Sequence, residues 1–268
     1  MTIRLGVCGW PVAHSRSPAM HNAALAALGL RDWRYQTLPI PPDAFAQTVG
    51  ALERAGLRGV NLTIPHKEAA LALPDAATAT ARAFGAANTL TFAGGRVEAD
   101  NTDVGGLLEA LGPAHEPRGA RALVLGAGGS ARAVVHALVA GGAADVMVWN
   151  RTPERAERLC AQLGGRAVRE PGPADLIVQC TSVGLEDVDE PFKRLPVNAD
   201  TFEAGICVVD LVYRAGDTTF LAAARSRGAD VVDGLEILVG QGALAIERWT
   251  GMPAPRDVMR RAATDLPA

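Results

Sequence analysis

The chain has 268 residues, a formal charge of −3, 49% hydrophobic and 21% charged residues, which gives room for one large or two ordinary globular domains and excludes a disordered tail. No cluster of about five Lys or Arg occurs, so neither nucleic acid nor an anionic membrane surface is an expected partner. The longest uncharged apolar stretch, residues 133–144, falls short of the roughly 18 residues of a membrane span and contains His136, so no spanning helix is expected. The N-terminal residues lack the basic, apolar and small-residue regions of an export signal, and a cytoplasmic protein is expected. Cys8, Cys160, Cys180 and Cys207 are widely spaced in apolar surroundings and read as reduced thiols without chemistry.

Val-, Ile- and Leu-rich runs alternate with Ala-rich segments of helical period, the pattern of βαβ units around a mainly parallel sheet. Strands are predicted at 3–9, 33–38, 59–62, 89–92, 96–100, 122–126, 146–150, 176–180, 207–211 and 230–232. Gly94-Gly95 between two short runs predicts a hairpin, hence an antiparallel pair in the first half. The polar, Pro- and Gly-rich stretch 112–119 predicts a division, with a nucleotide-type domain following it. From Asp233-Gly234 onward the pattern is helical, and these helices either finish that domain or cross back to the first.

The segment 122–132 runs from an apolar strand through Gly126-Ala127-Gly128-Gly129-Ser130-Ala131 into an apolar helix. Glycines there let the backbone turn and approach a pyrophosphate, while the helix start offers unpaired N–H groups, so the turn reads as a dinucleotide site. At the tip of the next strand, where an acid would bond the ribose diol of NAD, stand Asn150, Arg151 and Thr152, with Arg155 one helical turn on. Neutral donors and guanidinium groups suit a 2′-phosphate, which points to NADP. The alternative is that both arginines are solvated helix-start residues.

Four polar clusters at strand ends interrupt the apolar first half. In Ser15-Arg16-Ser17-Pro18, Ser17 and Pro18 read as an N-cap and N1 pair, and two hydroxyls at a helix start also suit a small carboxylate. In the run 61–67, alternation puts Asn61 and Thr63 on one face before Pro65 ends the strand, and Lys67 opens a short helix. Only two of the 26 basic residues are lysines, so Lys67 is informative: unlike arginine, it can release its proton. The run 85–89 contains Asn88, otherwise a left-handed turn residue, and 100–103 contains Asp103, otherwise a helix cap. His14, His21, His66, His115 and His136 show no metal-ligand spacing, so no metal is expected; His66 could lie near a substrate and the others cap, pack or face solvent.

Taken together, 61–67, 85–89, 101–103, 126–132 and 150–152, with Ser15 to Pro18, the 210–213 run and Asp233-Gly234-Leu235 followed by Gln241, resemble the shikimate dehydrogenases along essentially the whole chain. The resemblance implies an α/β protein: an N-terminal mixed-sheet substrate domain (1–104 and 235–268) and a Rossmann-type, doubly wound parallel-sheet NADP domain (105–234), with the active site in the cleft between them. It implies reversible, NADP-linked oxidation of the shikimate 3-hydroxyl, run as reduction of 3-dehydroshikimate in aromatic amino-acid biosynthesis. Ser15 and Ser17 would hold the carboxylate; Thr63, Lys67, Asn88, Asp103, Tyr213 and Gln241 would surround the ring hydroxyls. Lys67 and Asp103 would be the catalytic pair, and Thr181, Leu211 and Gly234 would join the cofactor site. A carboxylate beside a lysine favours the ammonium, so a proton held on Asp103 or shared is an alternative to Lys67 as sole base. Gln179 replaces the asparagine usual in the family, and Glu236 a small residue. A quinate-accepting dehydrogenase and a non-catalytic ligand sensor are the competing readings, and a homodimer remains open.

Overall fold

The computed structural model describes residues 2–185, 190–214 and 216–265. The chain forms two compact units, Met1–Gly106 with Leu238–Pro267, and Leu107–Ile237. It passes between them within a helix; the stretch 112–119 instead carries a 3-10 turn (Pro113–His115) inside the second unit, where Gly119 N–H bonds Gly142 O at 2.9 Å.

In the first unit, β1 (Ile3–Gly9), β2 (Trp33–Pro39) and β3 (Leu57–Leu62) are parallel, with β1 in the middle. The two-residue β4 (Ala76–Ala77) closes the far edge of the sheet, beyond the antiparallel pair β5 (Thr89–Ala93) and β6 (Arg96–Asp100), in the order β2-β1-β3-β5-β6-β4. Gly94 and Gly95 make the expected hairpin; their φ values of 61° and 78° lie in the left-handed region a tight turn demands. Helices α1 (Ser17–Ala27), α2 (Phe45–Leu52) and α3 (Ala79–Phe84) connect these strands. One face of the sheet packs Phe45, Val49, Leu57, Val60, Leu62, Leu90 and Phe92 into a core.

Helix α4 (Asp103–Leu111) leads to the second unit, where five parallel strands and a short sixth form a sheet in the order β12-β11-β10-β7-β8-β9. These are β7 (Arg121–Leu125), β8 (Asp145–Trp149), β9 (Arg166–Ala167), β10 (Leu176–Gln179), β11 (Cys207–Asp210) and β12 (Asp230–Asp233), linked by α5 (Gly129–Ala140), α6 (Pro153–Leu163), α7 (Pro191–Arg194) and α8 (Thr219–Ser226). Strands β7, β10 and β11 are almost wholly buried, which is why they read as continuous apolar runs rather than alternating ones.

Helices α9 (Gly234–Thr250) and α10 (Arg256–Thr264) close the chain, and from Leu238 on they belong to the first unit. Two bare backbones seat α9: a Cβ on Gly59 would lie 2.1 Å from Trp249 Nε1, and one on Gly240 would lie 3.0 Å from Gly106 Cα. Trp249 donates from Nε1 to Leu90 O at 3.2 Å, so the indole both fills the gap over Gly59 and satisfies its polar atom.

His21 of α1 is fully buried, stacked on Tyr35 at 4.1 Å, and its ring nitrogens have no hydrogen-bond partner among the described residues. Burial pushes its pKa down from 6.5 to about 3, so the fold holds it neutral while the unfolded chain protonates it. Its contribution is complete above the unfolded value and lost as pH falls toward the folded one. From this group alone, unfolding titrations should show about 2 kcal/mol less stability at pH 5 than at pH 7, and His21→Phe should remove that increment. An unchanged pH slope in the variant would show that His21 is not held neutral.

Candidate active site

Parallel strands β1 and β3 put the Ser15 to Ser17 loop and Thr63 at the same sheet end, tied by Thr63 N–H to Cys8 O at 2.9 Å. The capping expectation for Ser17 fails. Arg16 occupies the cap position in an αR conformation with no side-chain cap bond, and Ser17 is the first helical residue. Ser17 N–H instead donates to Ser15 Oγ at 3.3 Å. Arg16 bends away to Ala263 O of α10 at 2.8 Å.

Lys67 lies in the turn after β3, two residues before a 3-10 turn (Ala69–Ala72), and so does not open a helix as expected. Its Nζ donates to Asp103 Oδ2 at 2.7 Å, with both side chains about one-sixth exposed. Asp103 therefore spends its carboxylate on the lysine rather than on capping α4. The other oxygen, Oδ1, accepts from Asn88 Nδ2 at 2.8 Å. Asn88 is not a left-handed turn residue, since every described non-glycine residue has negative φ. Its buried amide also donates to Gln241 Oε1 at 3.3 Å, which the close seating of α9 on α4 makes possible. Lys67, Asn88, Asp103 and Gln241, up to 174 residues apart in the chain, thus form one cluster.

His66 does not join it. The ring is buried, bonds Ile40 O through Nε2 at 2.8 Å and stacks on Phe45 at 4.2 Å, and burial lowers its pKa. Asn61, Thr89 and Thr102, which sequence reasoning did not single out as site residues, are all buried around Asn88. Their signal was present in Asn61, and in the Asn-Thr pairs 88–89 and 101–102, but short polar side chains beside strand ends read equally well as turn formers.

In the second unit, Gly126 leaves β7 with φ +118°, and a Cβ there would meet Cys180 and Thr181 at 3.2 Å, so this position needs glycine twice over. Gly128 is the cap of α5 with open space where a Cβ would stand, and no side chain caps the helix. The N–H groups of the first turn are thus available to an anion. Ala131 is fully buried against the sheet. At the tip of β8, Asn150 Nδ2 donates to Thr152 O at 2.9 Å, ordering the turn that presents Arg151. Arg151 and Arg155 are exposed, and neither guanidinium is bonded to an acid among the described residues. An anion-ready helix start, no acid at the β8 tip and two free guanidinium groups fit a phosphorylated dinucleotide.

Thr181, Leu211 and Gly234 follow β10, β11 and β12 in the same unit. A Cβ on Gly234 would lie 2.5 Å from Leu211 O, so the start of α9 packs backbone to backbone on the loop after β11. Gln179 takes up its non-family position productively: its Oε1 accepts from Thr181 N–H, and its Nε2 donates to Val183 O at 2.8 Å and Asp210 Oδ1 at 3.3 Å. Asp210, fully buried, also accepts from Val212 N–H and Thr218 Oγ1, which orders the start of the loop carrying Tyr213.

An α/β chain with a glycine turn fit for a dinucleotide in one unit and a half-buried lysine–carboxylate pair in the other is a nicotinamide-dependent oxidoreductase. Comparison with known proteins narrows the class. Residues 7–90 match the shikimate dehydrogenase substrate binding domain, 110–177 the shikimate/quinate 5-dehydrogenase family and 234–264 the shikimate 5′-dehydrogenase C-terminal domain. The chain is 46% identical over 263 residues to an NADP(+) shikimate dehydrogenase of Thermus thermophilus, covering 97% of each. Among solved structures, the Aquifex aeolicus shikimate dehydrogenase superposes with a TM-score of 0.92 at 36% identity, covering 98% of each chain. A Thermus thermophilus enzyme in complex with NADP(H) and shikimate gives 0.88 at 45%, again covering 98% of each. The chain belongs to the shikimate dehydrogenase family.

Proposed function

We propose that this chain catalyses the reversible, NADP-dependent reduction of 3-dehydroshikimate to shikimate in aromatic amino-acid biosynthesis. The observation that carries the reading is the 2.7 Å Lys67–Asp103 pair, backed by Asn88 and Gln241, in a chain of this family. The cofactor, when bound, would supply a hydride to the carbonyl carbon as NADPH and take one back in the reverse direction as NADP⁺. Lys67 donates a proton to the 3-oxygen as the alcohol forms and takes it back during oxidation. Asp103 holds the ammonium in place and accepts from the substrate hydroxyl; a proton shared between the two serves the same chemistry. Ser15 and Ser17 bind the carboxylate, while Thr63, Asn88, Tyr213 and Gln241 contact ring hydroxyls.

The domain roles follow: residues 1–104 with 235–268 bind the substrate, and 105–234 bind the cofactor. The cofactor contacts are the turn from Gly126 to Ala131 against the pyrophosphate, Asn150, Arg151, Thr152 and Arg155 around the 2′-phosphate, and Thr181, Leu211 and Gly234 further along the dinucleotide. The same reading puts the enzyme in the cytoplasm, with no nucleic-acid or membrane partner, and admits a homodimer.

The test is reduced-nicotinamide absorbance with shikimate or quinate and NADP⁺ or NAD⁺ in all four combinations. Rapid turnover only with shikimate and NADP⁺ is expected. Comparable rates with quinate or NAD⁺ would reassign the chain to a dual-specificity dehydrogenase, and binding of both ligands without turnover would make it a sensor.

A further inference from the structure

Asn88 faces Asp103 with its amide nitrogen only if the amide is held one way round, and the groups that hold it are all buried in the first unit. Thr102 N–H can only donate, and it lies 2.8 Å from Asn88 Oδ1, which identifies that atom as the oxygen and turns Nδ2 toward Asp103. Asn61 is pinned in the same way. Its Nδ2 lies 3.3 Å from the backbone carbonyl of Asn88, an acceptor only, so Oδ1 must face the Tyr35 hydroxyl, which donates to it at 2.8 Å. Asn61 Nδ2 then donates to Thr89 Oγ1 at 3.1 Å. Asn88 Oδ1 can only accept, so the Thr89 hydroxyl 2.9 Å away donates to it.

The donors therefore run in one direction, from Tyr35 through Asn61, Thr89 and Asn88 to Asp103, whose second oxygen receives Lys67. Thr89 is wholly buried and joins the two amides. Resting on the dehydrogenase reading above, we infer that Thr89 is a positioning residue for the reaction at Lys67 and Asp103. It acts through Asn88, whose amide oxygen Thr102 N–H also holds, by linking it into a buried hydrogen-bond chain that runs in from the Tyr35 hydroxyl. A valine at 89 keeps the shape of threonine but leaves Asn61 Nδ2 and Asn88 Oδ1 each one partner short, in a setting where an unmade hydrogen bond costs more than a made one gains.

Valine and serine at this position separate hydrogen bonding from packing, because a packing role tolerates Thr89→Val and suffers from Thr89→Ser, whereas a positioning role ranks them in reverse. The expected result is that Thr89→Val lowers kcat for shikimate oxidation about tenfold. KM for NADP⁺ should stay unchanged, and Thr89→Ser should recover most of the loss. Wild-type kcat in Thr89→Val, or a valine variant faster than the serine variant, would overturn the inference. Thermal melting accompanies the kinetics. If the valine variant does not fold, Tyr35→Phe, which removes a single oxygen, carries the test: a several-fold lower kcat supports the chain and an unchanged one overturns it. Failure of the wild-type protein to oxidise shikimate would instead overturn the dehydrogenase reading, so the two failures are distinct.

Discussion

Replacing Lys67 by methionine is expected to lower kcat by about 10²- to 10⁴-fold, the usual share of a positioned acid/base group, with KM for shikimate changed only a few-fold. Methionine keeps an unbranched stem of similar length but has no proton to exchange, so the loss reads on the chemical step. The substitution also leaves Asp103 without the cation 2.7 Å from Oδ2, while Asn88 still donates to Oδ1. A mostly buried carboxylate stripped of its partner destabilises the fold, and a lower melting temperature should accompany the kinetic loss. Shikimate binding measured by calorimetry separates the two effects: a folded variant that binds shikimate yet does not turn over places Lys67 in proton transfer. A variant with near wild-type kcat would remove Lys67 from the mechanism.

The parts of this molecule that were legible in its sequence are those written locally. Residues 122–125 of β7, 176–178 of β10 and 207–209 of β11 are unbroken apolar runs because both sides of each strand are covered, and Gly94-Gly95 marks its hairpin because only glycine sits comfortably at both φ values. Strands β4 and β9 have two residues each, and Ala76–Ala77 and Arg166–Ala167 carry no pattern of their own; their pairing is decided by β6 and β8 alongside them. Ser17 read as a cap because Ser-Pro is a good helix start, but the loop delivers Arg16 in an αR conformation and shifts the start by one residue. The cluster at Lys67 is a different case. Its members meet across separations of 36, 15 and 153 residues, which no local period encodes, so only the ordered set of motifs along the chain pointed to it. What packs on a lone histidine is equally non-local: His66 lies one residue from Lys67 in sequence, yet is committed to Ile40 and Phe45.

Cofactor choice gives the second large effect. The double variant Arg151→Ala, Arg155→Ala should raise KM for NADP⁺ by about 10²-fold while leaving KM for NAD⁺ nearly unchanged. Each charge-assisted bond to a phosphate dianion contributes about 1.5 kcal/mol or more, and two of them give roughly 3 kcal/mol, hence the factor of 10². The argument depends on both guanidinium groups being free to meet a phosphate. Elsewhere in the unit Arg121 is committed to Asp175, Arg166 to Asp145 and Arg225 to Asp217, and none of these could turn to a ligand without breaking an existing pair. Arg151 and Arg155 carry no such commitment among the described residues, and they follow a strand tip whose Asn150 and Thr152 add no negative charge. Because the site is exposed, added salt should weaken NADP⁺ binding more than NAD⁺ binding in the wild-type protein, and this difference should vanish in the double variant. Steady-state kinetics with both nucleotides at two ionic strengths reads all four quantities. Equal losses for NADP⁺ and NAD⁺ would mean that the arginines serve the dinucleotide in general rather than its 2′-phosphate.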